Sequence, residues 1–233
     1  MKKDYTVGIE AKKIYKQKLI AKIAKVTFLL LLVIFSIIYF ILYILYSKGN
    51  FIVSLDKNEN NRKNIFLSES GKLDDLTIEL QAKSLDYMDN ISVNWINPNV
   101  DDEGNGSHNG QNYIAYTFYV INYGSEIVNY WYQINLTEVI KNVDKAIRVM
   151  VIHNGEKTIY GKKNDKTNKA EEGTEKFYSD TIAVLNEVKD FKPQEKDKFT
   201  VVIWIEGDDP DCTNDLIGGE IRMEMNITEE HTS

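Results

Sequence analysis

From Val26 to Tyr46 the chain runs for 21 residues without a charge, VTFLLLLVIFSIIYFILYILY. At ~1.5 Å rise per residue a helix of that length spans about 30 Å, the hydrocarbon thickness of a bilayer. A soluble helix needs a polar face, and this one offers only Thr27, Ser36 and tyrosine hydroxyls. Tyr39, Tyr43 and Tyr46 gather at one end, where a phenol sits well at headgroup level. Before the run come Lys2, Lys3, Lys12, Lys13, Lys16, Lys18, Lys22 and Lys25 against Asp4 and Glu10, a charge of +6; after it only Lys48 is near. The positive-inside rule then puts residues 1–25 in the cytoplasm as a basic tail, residues 26–46 in the membrane as a signal-anchor, and residues 50–233 outside. A cleaved signal peptide would have a shorter apolar region, ~7–15 residues, and a better small-residue site than Ser47-Lys48-Gly49. The expected location is a single-pass protein of the cell membrane with the lipid bilayer as its first partner. Attraction to anionic lipid accounts for the lysines, and Ile9, Ile14, Ile20 and Ile23 among them let the tail lie on the leaflet or continue the helix. No reader module for nucleic acid fits in that tail, so no nucleic-acid partner is expected.

Beyond Lys48 the apolar period becomes two. Phe51–Leu55, Leu76–Ala82, Ile91–Trp95 and Ile221–Ile227 alternate, each reading as a strand with one face inward. In the last, slipping by one residue would bury Glu220, Arg222 and Glu224, so its register is tightly determined. YIAYTFYVIN (113–122), VNYWYQI (128–134) and TVVIWIE (200–206) are apolar on both faces. They read as central strands covered twice, or as strands with one aromatic face awaiting a partner. Asn154-Gly155 marks a type I′ hairpin between 146–153 and 157–160. Residues 137–146 carry helical spacing, 162–176 read as a solvated loop, and 177–185 as a strand. Eight or nine short strands with frequent turns and no βαβ spacing predict an all-β domain, a single antiparallel β-sandwich.

Little in the composition suggests catalysis. There are 3 histidines and 1 cysteine, and no nucleophile elbow, phosphate loop or HExxH motif. His108, His153 and His231 read as surface residues, and Cys212 as a small turn or core residue. The expectation is therefore a protein that is not an enzyme. Two acidic loops suggest a cation. Asp101, Glu103 and Asn105, followed by Gly106, Ser107 and Asn109, imitate the opening of an EF-hand, but the twelfth position is Asn112 where a bidentate Glu is needed. Asp208, Asp209 and Asp211 crowd a second loop after Glu206, where calcium, a partner's lysine or solvation would relieve repulsion. Apart from calcium no cofactor is expected. A hydrolase would need Glu206 and a neighbouring aspartate across a cleft. Trp95, Tyr113, Tyr130, Trp131, Tyr132 and Trp204 could stack on sugar rings or a partner's side chains, and an exposed row of them over a groove would favour a carbohydrate- or peptide-binding module.

GSHNGQNYIAYTFYVINYG (106–124) and VVIWIEGDDPDCTNDLIGGEIRMEMNI (201–227) resemble membrane-anchored proteins of clostridia-like Gram-positive bacteria. More distantly, the second stretch is similar to TasA/camelysin-type surface proteins in its Trp-x-Glu-Gly, Asp-x-x-Cys loop, Gly-Gly and alternating final strand. The resemblance implies a jelly-roll-like sandwich and a structural or interaction role at the cell surface, matrix- or fibre-related. It also implies assembly as a homo-oligomer or with a surface partner by strand addition, and Phe51–Leu55, an alternating segment directly after the anchor, is the expected donor. Retention of the long apolar helix departs from the released, cleaved members and favours a tethered relative.

Overall fold

The computed structural model describes residues 7–46, 49–56, 64–164 and 167–230; His231 lies outside them. The chain forms two units, Met1–Lys48 and Gly49–Ser233.

The first is a single helix, α1 (Val7–Tyr46), of 40 residues. A helix pairs the backbone groups of its apolar stretch within the segment itself, as a lipid surround would require. At ~1.5 Å per residue α1 is about 60 Å long, twice the hydrocarbon thickness, so its lysine-bearing turns extend beyond what a bilayer covers. The stretch Ala11–Tyr43 is long and apolar enough to cross a membrane, and none of its most apolar window is buried against other protein.

The second unit is a sandwich of two sheets. Its strands are β1 (Phe51–Leu55), β2 (Ile65–Ser68), β3 (Glu79–Gln81), β4 (Gly106–Ser107), β5 (Tyr113–Asn122), β6 (Val128–Val139), β7 (Ile147–His153), β8 (Glu156–Gly161), β9 (Glu175–Lys176), β10 (Ile182–Phe191), β11 (Lys196–Ile205) and β12 (Ile221–Glu230). The first sheet has the order β10-β6-β12-β1-β3 and the second β2-β5-β11-β7-β8-β9, with β4 beside β5. Most pairings are antiparallel, as expected, but β1 runs parallel to β12 and β8 parallel to β9.

Between the sheets the period-two residues meet. Phe51, Val53, Met223, Met225, Tyr130 and Ile134 face Tyr116, Phe118, Phe199, Val201, Val149 and Val151 in one buried cluster. Phe118 and Phe199 stack with centroids 5.5 Å apart, and Tyr130 meets Phe191 edge-on at 5.2 Å. The outer face of the second sheet is also covered. Ile91, Ile96 and Val100 lie on Ala115, Met150, Ile152, Val202 and Trp204 in a second apolar cluster. Both faces of β5, β7 and β11 are therefore dry, which accounts for their unbroken apolar sequence.

The covering segment corrects one expectation. Ile91–Trp95 is not a strand: Ile91 makes one parallel bridge to Glu206, and Val93–Trp95 is a single 3₁₀ turn. Its alternation reflects residues laid on a sheet rather than paired within one. The helix expected over 137–146 is also absent. Thr137–Val139 completes β6, Lys141 and Asn142 adopt positive φ, and only one turn, Val143–Lys145, remains. In 177–185 the strand starts at Ile182, and in 76–82 it is confined to Glu79–Gln81. Asn154-Gly155 turns as expected, with φ of 50° and 86°.

β1 follows α1 after four residues, yet it lies inside its sheet between β12 and β3. Five residue pairs register it on β12, from Phe51 opposite Met223 to Leu55 opposite Ile227. Phe51 and Val53 are fully buried, whereas Ile52 points outward and is half-buried. Phe51→Ala should therefore lower stability to urea by about 3–5 kcal/mol. Ile52→Ala should cost less than half as much, and equal effects would mean β1 is not packed as described.

Candidate functional site

The loop after β11 shows where the acidic residues go. Trp204, at the end of β11, is fully buried, and its indole Nε1 donates to Glu206 Oε2 at 3.0 Å. The backbone N–H of Val93 donates to the same oxygen at 3.1 Å, and that of Asp208 to Oε1 at 3.2 Å. Glu206 N donates to Ala146 O at 2.8 Å, and Gly207 N to Ile91 O at 2.9 Å. The Glu206 carboxylate thus ties the covering segment 91–100 to the sheet beneath it. Three N–H groups are directed at its oxygens, so the carboxylate acts as a strut.

Asp209 is equally committed. Its Oδ2 accepts from the Arg148 guanidinium, and its Oδ1 from Asp211 N at 2.7 Å. Arg148 is 2% exposed and Asp209 6%. Arg148 lies across Gly161, where a Cβ would stand 3.0 Å from Nε. The Asp209 charge, one of the three expected to attract a cation, is met by this arginine, which sequence reasoning missed although it is the one charge within the apolar strand IRVMVIH. Asp208 is exposed and Asp211 half-buried beside it. A cleft of about 490 Å³ opens there, lined by Val93, Ile159, Glu172, Thr174 and Pro210 as well as the ion pair.

The EF-hand-like loop takes a different shape. Asp101 lies in a 3₁₀ turn, Val100–Asp102. Glu103 accepts from Asn97 Nδ2 at 2.6 Å, and Asn105 accepts from the Tyr119 hydroxyl at 3.1 Å while its Nδ2 points to Ser70 O. Gly106 and Ser107 are drawn into β4, which pulls the sixth and seventh positions into a sheet rather than around an ion. Among the described residues no group of three or more His, Cys, Asp or Glu has metal-holding geometry.

Two histidines are less superficial than expected. His108 directs Nδ1 to Gly106 O at 2.9 Å, and its Nε2 is buried with no hydrogen-bond partner among the described residues. His153 stacks on Phe199 at 4.4 Å and holds Nε2 3.4 Å from Asp197 Oδ2. Asp197 also accepts from the Tyr130 hydroxyl and, at 2.7 Å, from Asn154 Nδ2. Burial pushes the Asp197 carboxyl up, but hydrogen bonds from His153, Tyr130 and Asn154 outweigh it and hold the group below the usual carboxylate value. Burial, then the Asp197 charge, pushes the Tyr130 phenol well above its usual range.

Of the aromatic residues singled out from the sequence, Tyr130, Tyr132 and Trp204 belong to the core. Trp95 is 74% exposed on the covering segment, and Trp131 is 37% exposed on the outer face of the first sheet. Trp131 borders a groove of about 350 Å³ with Ser54, Asp56, Gln133, Glu224 and Asn226.

No known protein family matches the chain, and no curated protein does. Among solved structures, a β-glucosidase from Kluyveromyces marxianus in complex with glucose aligns at 11% identity over 70% of this chain and 15% of its own, with a TM-score of 0.22. A likeness that slight says nothing of fold or activity.

Two stability measurements follow. Arg148→Ala leaves the Asp209 carboxylate buried without its counter-ion and should destabilise by about 3–5 kcal/mol, while a hydrophobic pair at 148 and 209 should recover much of that loss. The depressed Asp197 pKa adds stability that is whole above the ordinary value of 3.8 and lost as pH falls through the folded-state value. The raised Tyr130 pKa adds stability that is whole below the ordinary value of 10.0 and lost as pH rises through the higher folded-state value. Tyr130→Phe should therefore flatten the alkaline fall in melting temperature, and an unchanged slope would contradict the assignment.

Proposed function

We propose that this chain is a single-pass surface protein, with its lysine-rich N-terminus in the cytoplasm and its sandwich in the external medium as a structural or interaction domain. The observation that carries the reading is α1. Its apolar side chains over 11–43 are all exposed among protein atoms, and a helix with that much apolar surface on every side needs lipid around it. The lysine asymmetry, eight before the apolar run against Lys48 just after, supports the orientation. The role is interaction rather than catalysis. Glu206 and Asp209, the carboxylates best placed in sequence for hydrolysis, hold the fold together. The resemblance of 106–124 and 201–227 to membrane-anchored proteins, and of 201–227 more distantly to TasA/camelysin-type proteins, supports a tethered component of a surface matrix.

Strand addition through Phe51–Leu55 has to contend with the position of that segment, which is paired on both sides within its own sheet. A face-on contact is the more accessible mode, and the groove beside Trp131 supports it.

The single cysteine tests the orientation. Burial, then the charges of Asp209 and Glu206, raise the Cys212 thiol pKa, so labelling should be slow at neutral pH and accelerate as pH rises. A membrane-impermeant maleimide applied to intact cells at mildly alkaline pH should modify Cys212 as completely as it does in a lysate. Labelling only after lysis would overturn the proposed topology.

A further inference from the structure

We propose that the outer face of the first sheet is a saccharide-binding groove for an oligosaccharide without negative charge; the inference deepens the interaction role proposed above and names its ligand class. Three neighbouring strands, β6, β12 and β1, build it. Registry sets Gln133, Asn226 and Ser54 in one row across the strands, Trp131 and Thr228 in the row on one side, and Asn135 and Glu224 in the row on the other. The inward-facing residues of the same strands fill the core, so alternation forces these polar groups to the other face.

Ser54 forms the floor at 5% exposure, its hydroxyl 2.8 Å from Glu224 Oε1 and 3.0 Å from Asn226 Oδ1. Gln133 Nε2 donates to Asn135 Oδ1. Among the described residues those bonds leave the Nδ2 groups of Asn226 and Asn135 as donors. Gln133 Oε1 and the second oxygen of Glu224 remain as acceptors. The amides and the carboxylate are thus held by neighbours in a mixed array of donors and acceptors. A bare cation needs acceptors only and a bare anion donors only, whereas vicinal hydroxyls give and take at once. At the rim stands Trp131, 37% exposed, an aromatic side chain on which the C–H surface of a sugar ring can pack.

Charge narrows the ligand further. Among the described residues no lysine or arginine lines the groove, and the Glu224 carboxylate does. An acidic glycan would be repelled, and a neutral or amine-bearing one accepted. A peptide adding as a strand is disfavoured by position: β12 has partners on both sides, and so has β1, so their main-chain groups are already paired.

The test is titration calorimetry on the full chain, held in a detergent that has no sugar headgroup. The ligands are neutral gluco-oligosaccharides, glucosamine oligomers, an acidic oligogalacturonate and a lysine-rich peptide. Saturable binding to a neutral or amine-bearing oligomer, with none to oligogalacturonate, is expected. Trp131→Ala should weaken it about tenfold or more. Gln133→Ala should weaken it without touching the aromatic contact, and Trp95→Ala, on the opposite sheet's cover, should leave it unchanged. Each variant's circular dichroism should match that of the parent. Absence of binding to every saccharide, equal binding of oligogalacturonate, binding of the peptide alone, or a Trp131→Ala protein that binds like the parent would each overturn the proposal. Because the protein is in detergent, failure here leaves the orientation to the Cys212 labelling, and failure there leaves the groove intact.

Discussion

The pairing of β1 with β12 is the constraint on which the second unit rests. A strand that begins five residues beyond α1 enters the middle of a sheet and runs parallel to the last strand of the domain, with Val53 opposite Met225 and Ile52 opposite Glu224. Parallel neighbours cannot be joined by a tight turn. The domain must therefore collect both ends of its sequence before the first sheet is complete, and most of the core lies between them. Phe51 and Val53 contribute two of its fully buried side chains. On the opposite face the same strand supplies Ser54 to the groove floor, so one pairing underlies both the core and the proposed binding face.

The second sheet solves a different problem. Its central strands are apolar on both sides, and an uncovered face of that kind would be an aggregation or docking surface. Segment 91–100 closes it with Ile91, Ile96 and Val100, and Glu206 holds that segment down through Val93 N and the Trp204 indole. A carboxylate surrounded by N–H donors and a buried arginine against Asp209 are costly to strip of water, and full hydrogen bonding offsets the cost. The acidic loop is accordingly a clasp between layers.

Much of this was legible in the sequence because burial on one side leaves a period of two. The spans of β1 and β12 follow from it, while β5 follows from an unbroken apolar run covered on both faces and the Asn154-Gly155 hairpin from the positive φ its turn requires. What local pattern cannot encode is which strand lies beside which: the parallel pairing of Phe51–Leu55 joins residues some 170 positions apart. Ile91–Trp95 misleads because lying on a sheet and pairing within one produce the same alternation. The acidic residues were visible and their partner was not, since Arg148 is read as an oddity in an apolar strand until the fold brings it to Asp209. The groove was half-legible. The alternation of Trp131, Gln133 and Asn135 with Tyr130, Tyr132 and Ile134 is visible in the sequence, but 128–134 is apolar on both faces, so which set points outward, like its juxtaposition with Glu224, Asn226 and Ser54, needs the sheet order.

Whether β1 belongs to its own domain is open to direct measurement. Hydrogen exchange on the full chain in detergent should find the amides of 52–55 protected to the same degree as those of 223–227, at every protein concentration down to the most dilute. Rapid exchange of 52–55 in dilute protein, with protection gained only as the concentration rises, would show that the strand is supplied by a neighbour and would contradict the account.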